Sequence, residues 1–284
     1  YAVQRPMITK EGIYTQGVYG FLNMLQKIES DYEPEYLTVA FDLKAPTFRH
    51  LEYEDYKAGR KAMPPELAMQ MPIIKDVLRA MNIEILELEG YEADDIIGTV
   101  AQEAEKAMIQ PLIITGDKDA LQLVSERTRV IITKKGITDF ELYDPAKMKE
   151  RYNLTPKQFI DLKGLMGDSS DNIPGIPGVG EKTGIKLLEQ FGSIDNMLAH
   201  TDEISAQKLR NKVEENAQLA LMSKRLATIN VNVPIDIDIE KFRLREPDYD
   251  KLIEIYTKLE FNSFLKKLKI TPQKNVQMFK SADC

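Results

Sequence analysis

Cysteine is almost absent: the 284-residue chain has one, Cys284, at its last position. That excludes an intrachain disulfide framework and fits a reducing compartment. No apolar run approaches the roughly 20 residues needed to span a bilayer, so no membrane partner is expected. No secretory signal peptide opens the chain, although it starts on Tyr1 rather than Met and a preceding piece is expected to be missing. Neither an internal repeat nor a low-complexity block is present. Net basic charge is lacking too, since 38 Lys and Arg face 45 Asp and Glu, a formal balance of −7. Such a balance argues at first against the broad basic face that usually grips nucleic acid.

What is present is an ordinary globular composition, 43% hydrophobic and 29% charged. Residues 16–30 place Val18, Phe21, Leu22, Leu25 and Ile28 at helical spacing. "YLTVAF" (36–41), "IEILEL" (83–88), "PLIIT" (111–115) and "RVIIT" (129–133) read as strands. A helix is expected from Pro64–Pro65 to Asn82, and another over "ADDIIGTVAQEAEKA". The alternation predicts an α/β fold with a mostly parallel sheet covered by helices. From Asp144 to Ala227 the pattern is helical with glycine-rich turns, residues 228–245 are mixed, and 250–268 form one more helix. A domain boundary is expected near 157, with 271–284 as a tail or linker.

The acids are not spread evenly. Asp42 follows the first strand directly, Glu92, Asp94 and Asp95 follow "IEILEL", and Asp117 and Asp119 follow "PLIIT". Ligands in an open parallel sheet bind at the carboxyl ends of strands. Asp168 and Asp171 form a fourth cluster, "GDSSDN", at the spacing of one helical turn. Setting these eight aside leaves 37 acids against 38 bases, so the acidity belongs to a site. Each cluster alone has an ordinary explanation as a helix cap, turn or loop. Together they suit two hard divalent cations, the apparatus for cutting a phosphodiester. Glu92 and Asp94 can converge only if the helix begins at Ala93 or Asp94, because two residues within a helix point about 200° apart.

Two further stretches point to a nucleic-acid partner. "GIPGVGEKTGIKLL", within 172–193, is a tight glycine turn opening a helix, the helix–hairpin–helix signature. Gly175, Gly178 and Gly180 let a backbone phosphate approach, and Lys182, Thr183 and Lys186 follow on the helix. "DLKAPTFRHLEYEDYKAGRKA" (42–62) interleaves Lys44, Arg49, Lys57, Arg60 and Lys61 with Tyr53 and Tyr56. Cations for phosphate and rings for bases make a single-strand platform.

With these residues in hand, the chain resembles the flap endonuclease family, in particular the 5′ nuclease (5′→3′ exonuclease) domain of bacterial DNA polymerase I. The likeness runs from Tyr1 to about Leu268. It is carried by "VAFD", "TFRH", "YKAGR", "YEADDIIGT", "GDKDALQLV", "KKGITD" (134–139) and "LKGLMGDSSDNIPGIPGVGEKT". The resemblance implies a PIN-like nuclease domain over 1–157, with a helical arch at about 43–66. A helical domain over 158–270 would carry a helix–three-turn–helix module that takes a potassium ion. It implies that Asp42, Glu92, Asp94, Asp95, Asp117, Asp119, Asp168 and Asp171 hold two divalent cations, magnesium or manganese, directly or through water. Arg49, Lys57 and Arg60 would act from the arch, Lys57 steering the scissile phosphate. The implied substrate is DNA with a 5′ flap, or a nicked or gapped duplex with a single-stranded 5′ end. A monomer in the bacterial cytoplasm is expected, either a standalone nuclease or a fragment of a longer protein in which a polymerase domain follows.

Two departures are visible. The family's first strand carries an aspartate in an "IDG"-like motif and a following basic residue, both upstream of Tyr1. One strand, one ligand and one phosphate-binding arginine are therefore expected to be missing. Gly184 stands where the hairpin motif often has alanine. The competing readings are an inactive fragment or non-catalytic DNA-junction binder, and an RNA-directed PIN-like nuclease.

Overall fold

The computed structural model describes residues 6–134 and 139–270, with only the backbone of residues 269 and 270. Most of the "KKGITD" motif and the whole expected tail (271–284) lie outside the described residues. In chain order the helices are α1 (Gln16–Tyr32), α2 (Phe48–Glu52), α3 (Pro65–Ala68), α4 (Met71–Ala80), α5 (Ala93–Lys106), α6 (Pro145–Tyr152) and α7 (Pro156–Met166). They continue as α8 (Glu181–Phe191), α9 (Ile194–Ala199), α10 (Gln207–Glu215), α11 (Ala217–Ala227), α12 (Tyr249–Lys258) and α13 (Asn262–Ile270). The strands are β1 (Thr38–Ala40), β2 (Glu84–Leu86), β3 (Leu112–Thr115), β4 (Arg129–Thr133) and β5 (Phe140–Tyr143). Among the described residues, no helix is long and apolar enough to cross a membrane.

By compactness the chain forms two units. One comprises residues 1–37, 64–84 and 243–284 and holds α1, α3, α4, α12 and α13. The periodicity of α1 buries Val18, Leu22, Leu25 and Ile28, as an amphipathic helix must. Tyr19 packs edge-on against Phe261 and Phe264 at ring-centroid distances of 5.4 and 5.6 Å. The single helix expected from Pro64 to Asn82 is interrupted at Met69–Gln70. Gln70 is fully buried, and its Oε1 accepts from the N–H groups of Gly17 (2.7 Å) and Val18 (3.2 Å). A helix gives up one turn here to satisfy the first amides of another.

The second unit comprises residues 38–63 and 85–242. β1 and β2 form a two-stranded sheet, while β3 pairs parallel with β4 and β4 antiparallel with β5. The described strands thus make two small sheets rather than one continuous parallel sheet. β5 is only four residues long, too few alternations to stand out in sequence. Val130, Ile132 and Tyr143 share one buried cluster with Leu162 and Leu165 of α7 and Leu187, Leu188 and Phe191 of α8. Sheet and helical region therefore share a core, and compactness does not divide the chain at 157/158.

Candidate metal centre and nucleic-acid interface

Three chain segments bring the acids together within the second unit. β1 delivers Asp42, whose Oδ1 accepts from the Ala93 N–H at 2.8 Å, tying the end of the strand to the start of α5. α5 begins at Ala93, with Glu92 in extended backbone before it, so Glu92 and Asp94 can face one region. β3 ends at Thr115, and its Oγ1 holds the Asp117 N–H at 3.0 Å. Asp117 in turn accepts from the Asp119 N–H at 2.9 Å and opens a 3-10 turn.

Among the described residues the Asp94 carboxylate makes neither hydrogen bond nor ion pair. Burial, then the nearby charges of Asp117, Asp42 and Glu92, push its carboxyl up to about 7, with only Lys57 opposing. Asp119 is likewise raised to about 6 by burial, with the Lys163 ammonium pulling against it. Asp168 goes the other way: despite burial, Lys163 and Ser170 hold it at about 2.

Cations from other elements partition the remaining acids. Lys57 Nζ lies 2.7 Å from Glu92 Oε1 and 3.7 Å from Asp171 Oδ2. Arg60, exposed, reaches Asp171 Oδ1 at 3.2 Å. Lys163, which no sequence pattern singled out, lies 2.5 Å from both Asp119 Oδ1 and Asp168 Oδ2. Among the described residues no three His, Cys, Asp or Glu side chains are grouped closely enough to hold a metal ion. The donor chemistry still fits one. Every group is a hard oxygen donor, magnesium engages few carboxylates directly and keeps its waters, and uncompensated charge concentrates at Asp94.

Three residues expected in the site are held by contacts of their own. Asp95, expected among the ligands, is fully buried. Its oxygens accept from Arg49 Nη1 and Nη2 (2.8 and 2.7 Å) and from the N–H groups of Glu92 (3.1 Å) and Asn230 (2.8 Å). Arg49, read as a phosphate contact, is 2% exposed and also donates to the carbonyls of Leu226 and Thr228, both at 2.8 Å. Tyr56, read as a base-stacking ring, is 3% exposed. Its hydroxyl lies 3.2 Å from Glu92 Oε2 and 3.1 Å from Asp171 Oδ2, sharing one proton between two carboxylates. A buried charge needs a partner, which Arg49 and Asp95 find in each other, and a buried hydroxyl needs an acceptor, which Tyr56 finds in Glu92 and Asp171.

Instead of a long arch, the 43–66 segment holds the five-residue α2 followed by turns. Lys57 adopts the left-handed region (φ 57°), and its N–H donates to the Asp171 carbonyl at 2.9 Å. Lys44 and Lys61 are exposed and Tyr53 is half-buried, so these three remain open to a strand.

The hairpin is built against α7 and α11. Gly175 has φ +61°, and a Cβ there would lie 2.2 Å from the Gly167 nitrogen, so no other residue fits. Its N–H donates to the buried Ser223 hydroxyl at 3.0 Å. Gly178 (φ +79°) leaves room for the Lys212 ammonium, which donates to the Pro177 carbonyl at 3.2 Å. Gly180 caps α8 without a side chain, so no side chain takes up the first amides of that helix. Thr183 is half-buried, while Lys182 and Lys186 are exposed on α8. Gly184 permits close packing, since a Cβ would lie 2.7 Å from Leu162 Cδ1. Ser223 and Lys212 gave no sequence signal, because nothing local marks them as neighbours of the turn.

Comparison with known proteins gives a family. A family described as the N-terminal resolvase-like domain of 5′-3′ exonuclease matches residues 1–153, and its C-terminal SAM fold matches 154–250. The chain is 50% identical over 264 residues to DNA polymerase I of Bacillus subtilis (strain 168), covering 93% of this chain and 30% of that protein. It is 48% identical over 258 residues to DNA polymerase I of Bacillus caldotenax, covering 91% and 29%. The chain thus spans about 30% of the length of these relatives. Among solved structures, the T5 5′-exonuclease with bound zinc aligns at a TM-score of 0.65 and 20% identity, over 88% of this chain and 89% of that one. The catalytic core of Rad2 in complex with DNA substrate aligns at 0.62 and 17%, over 93% and 86%. At such identities these likenesses establish the fold.

Proposed function

The chain belongs to the 5′-3′ exonuclease family, and on that premise we propose that it hydrolyses phosphodiester bonds in DNA at 5′ ends and near the junction of a displaced 5′ flap, in replication and repair. The observation that carries the reading is Asp94: a mostly buried carboxylate surrounded by Asp42, Glu92 and Asp117, with no basic residue bonded to it. Such an arrangement is costly unless a cation belongs there. Asp42, Asp94 and Asp117 would hold one divalent cation, magnesium or manganese. Glu92, Asp119, Asp168 and Asp171 would hold a second or its waters. Bound ions of this kind supply an activated hydroxide and stabilise the leaving oxygen.

The remaining groups orient and bind. Lys57, at the edge of the acids, neutralises and steers the scissile phosphate, and exposed Arg60 extends that positive rim. Lys44, Tyr53 and Lys61 contact the single-stranded 5′ end. Gly175, Gly178 and Gly180 bring backbone amides to the duplex phosphates, with Lys182, Thr183 and Lys186 beside them and a potassium ion at the turn. A T5 flap endonuclease complex with DNA and metal ions, and the Rad2 core with DNA, support DNA as the partner. In the full-length protein a polymerase domain follows, as the relatives' names suggest, and the chain acts as a cytoplasmic monomer.

The test is cleavage of a labelled 5′-flap duplex with magnesium, repeated with excess chelator. Cutting near the junction that stops on chelation is expected. Flap binding without cutting would favour a non-catalytic junction binder, and efficient cutting of plain single-stranded RNA would favour an RNA nuclease. A second expectation concerns the hairpin. Lys182→Ala should weaken duplex binding evenly across sequences and reduce the slope of log affinity against log salt by about 1. Fluorescence anisotropy at several salt concentrations measures it.

A further inference from the structure

We infer that Lys163 is a built-in counter-ion for the Asp119–Asp168 half of the acid cluster, which a second divalent cation must displace, so that the two ions load with unequal affinity. This rests on the metal-dependent reading above. Asp119 sits in the 3-10 turn after β3, and Asp168 lies two residues beyond α7. Lys163, in the last turn of α7, places Nζ at 2.5 Å from one oxygen of each. Its ammonium thus neutralises two of the acids that would hold a divalent cation.

Asp168 has little acceptor capacity to spare. Its Oδ1 already accepts from the Ser170 N–H (2.7 Å) and hydroxyl (2.6 Å), and its Oδ2 is taken by Lys163. The conflict is one of charge rather than of lone pairs. An ammonium that stayed would face a divalent charge across a few ångströms of partly buried space, where repulsion is poorly screened. The Lys163 side chain is 13% exposed, so its flexible stem has a route to solvent. The other half of the cluster differs: among the described residues, no ion pair involves Asp42, Asp94 or Asp117. One ion meets carboxylates with no basic partner, and the other must evict a cation.

The alternative role for Lys163, orienting Asp119 and Asp168 as metal ligands, predicts the opposite sign. The experiment is a manganese titration of the full chain, followed by calorimetry and by the electron paramagnetic resonance signal of free Mn2+, without substrate. Wild type is expected to show one tighter and one weaker site. Lys163→Met should tighten the weaker site by ~10–100-fold, the scale on which outer partners tune metal affinity, and leave the other unchanged. Lys163→Gln, which keeps a hydrogen-bonding group without the charge, should do the same, and Lys163→Arg should behave as wild type. Metal-free Lys163→Met should also melt below wild type and gain more from added Mn2+. Weaker binding in the Met and Gln variants, or titrations unchanged from wild type, would overturn the inference while leaving the metal reading intact. No Mn2+ binding by wild type would overturn both.

Discussion

Asp94→Asn is expected to reduce flap cleavage by ~10²–10³-fold, the loss typical when charge stabilisation is removed from a transition state. The same change should stabilise the metal-free protein at about pH 8. The sign follows from the raised carboxyl, about 7 in the folded chain against an ordinary 3.8. Below about pH 4 it is protonated in folded and unfolded chains alike and has no effect on stability. As pH rises toward 7 the unfolded chain ionises while the folded one holds its proton, so stability falls. Above 7 the full penalty is present. Converted one for one, the shift corresponds to ~4 kcal/mol. Solvent reaching the site reduces the expected gain to about 1–3 kcal/mol, or several degrees in melting temperature.

Melting curves at about pH 5 and pH 8, with and without magnesium, check this. The difference between Asn and wild type should be roughly 40% as large at the lower pH as at the higher. Added magnesium should raise wild type and leave the variant nearly unmoved, since a ligand stabilises only the form that binds it. A variant that lost activity and stability together would instead mark Asp94 as a structural acid.

Arg49→Ala should destabilise the protein by about 3–5 kcal/mol, the usual result of removing one partner of a buried ion pair. Asp95 would keep its charge without the guanidinium that neutralises it, and the Leu226 and Thr228 carbonyls would lose their donors. Arg49→Lys should recover little, because one ammonium cannot reproduce a planar fork that meets Asp95 twice and two carbonyls besides. Urea unfolding with an unchanged slope and a lowered midpoint is the measurement. A loss below about 1 kcal/mol would return Arg49 to the role of phosphate contact, since surface residues rarely contribute more.

The contrast between Asp94 and Asp95 shows how far sequence reasoning reaches. Adjacent acids in one helical turn are equivalent in a composition or spacing argument. In the fold they point about 100° apart, one toward Asp42 and Asp117, the other toward an arginine 46 residues earlier in the chain. Tyr56 shows the same limit, since an aromatic among cations suits an exposed platform as well as a buried hydroxyl between carboxylates. Lys163 left no trace, being one of 38 basic residues. Gly175 and Gly178 did, because a close backbone approach excludes every other residue and so marks the chain locally.

By itself, the sequence determined the helical stripe of α1, the strands that end just before Asp42 and Asp117, and the glycine turn before α8. Each is set by the period of a few neighbouring residues or by the missing Cβ of one, and so is local. Only the tertiary structure decided which acids stay uncompensated and which are closed by Arg49, Lys57 or Lys163. Desolvation makes a buried charge costly unless an opposite charge is near, and nearness is a property of the folded chain.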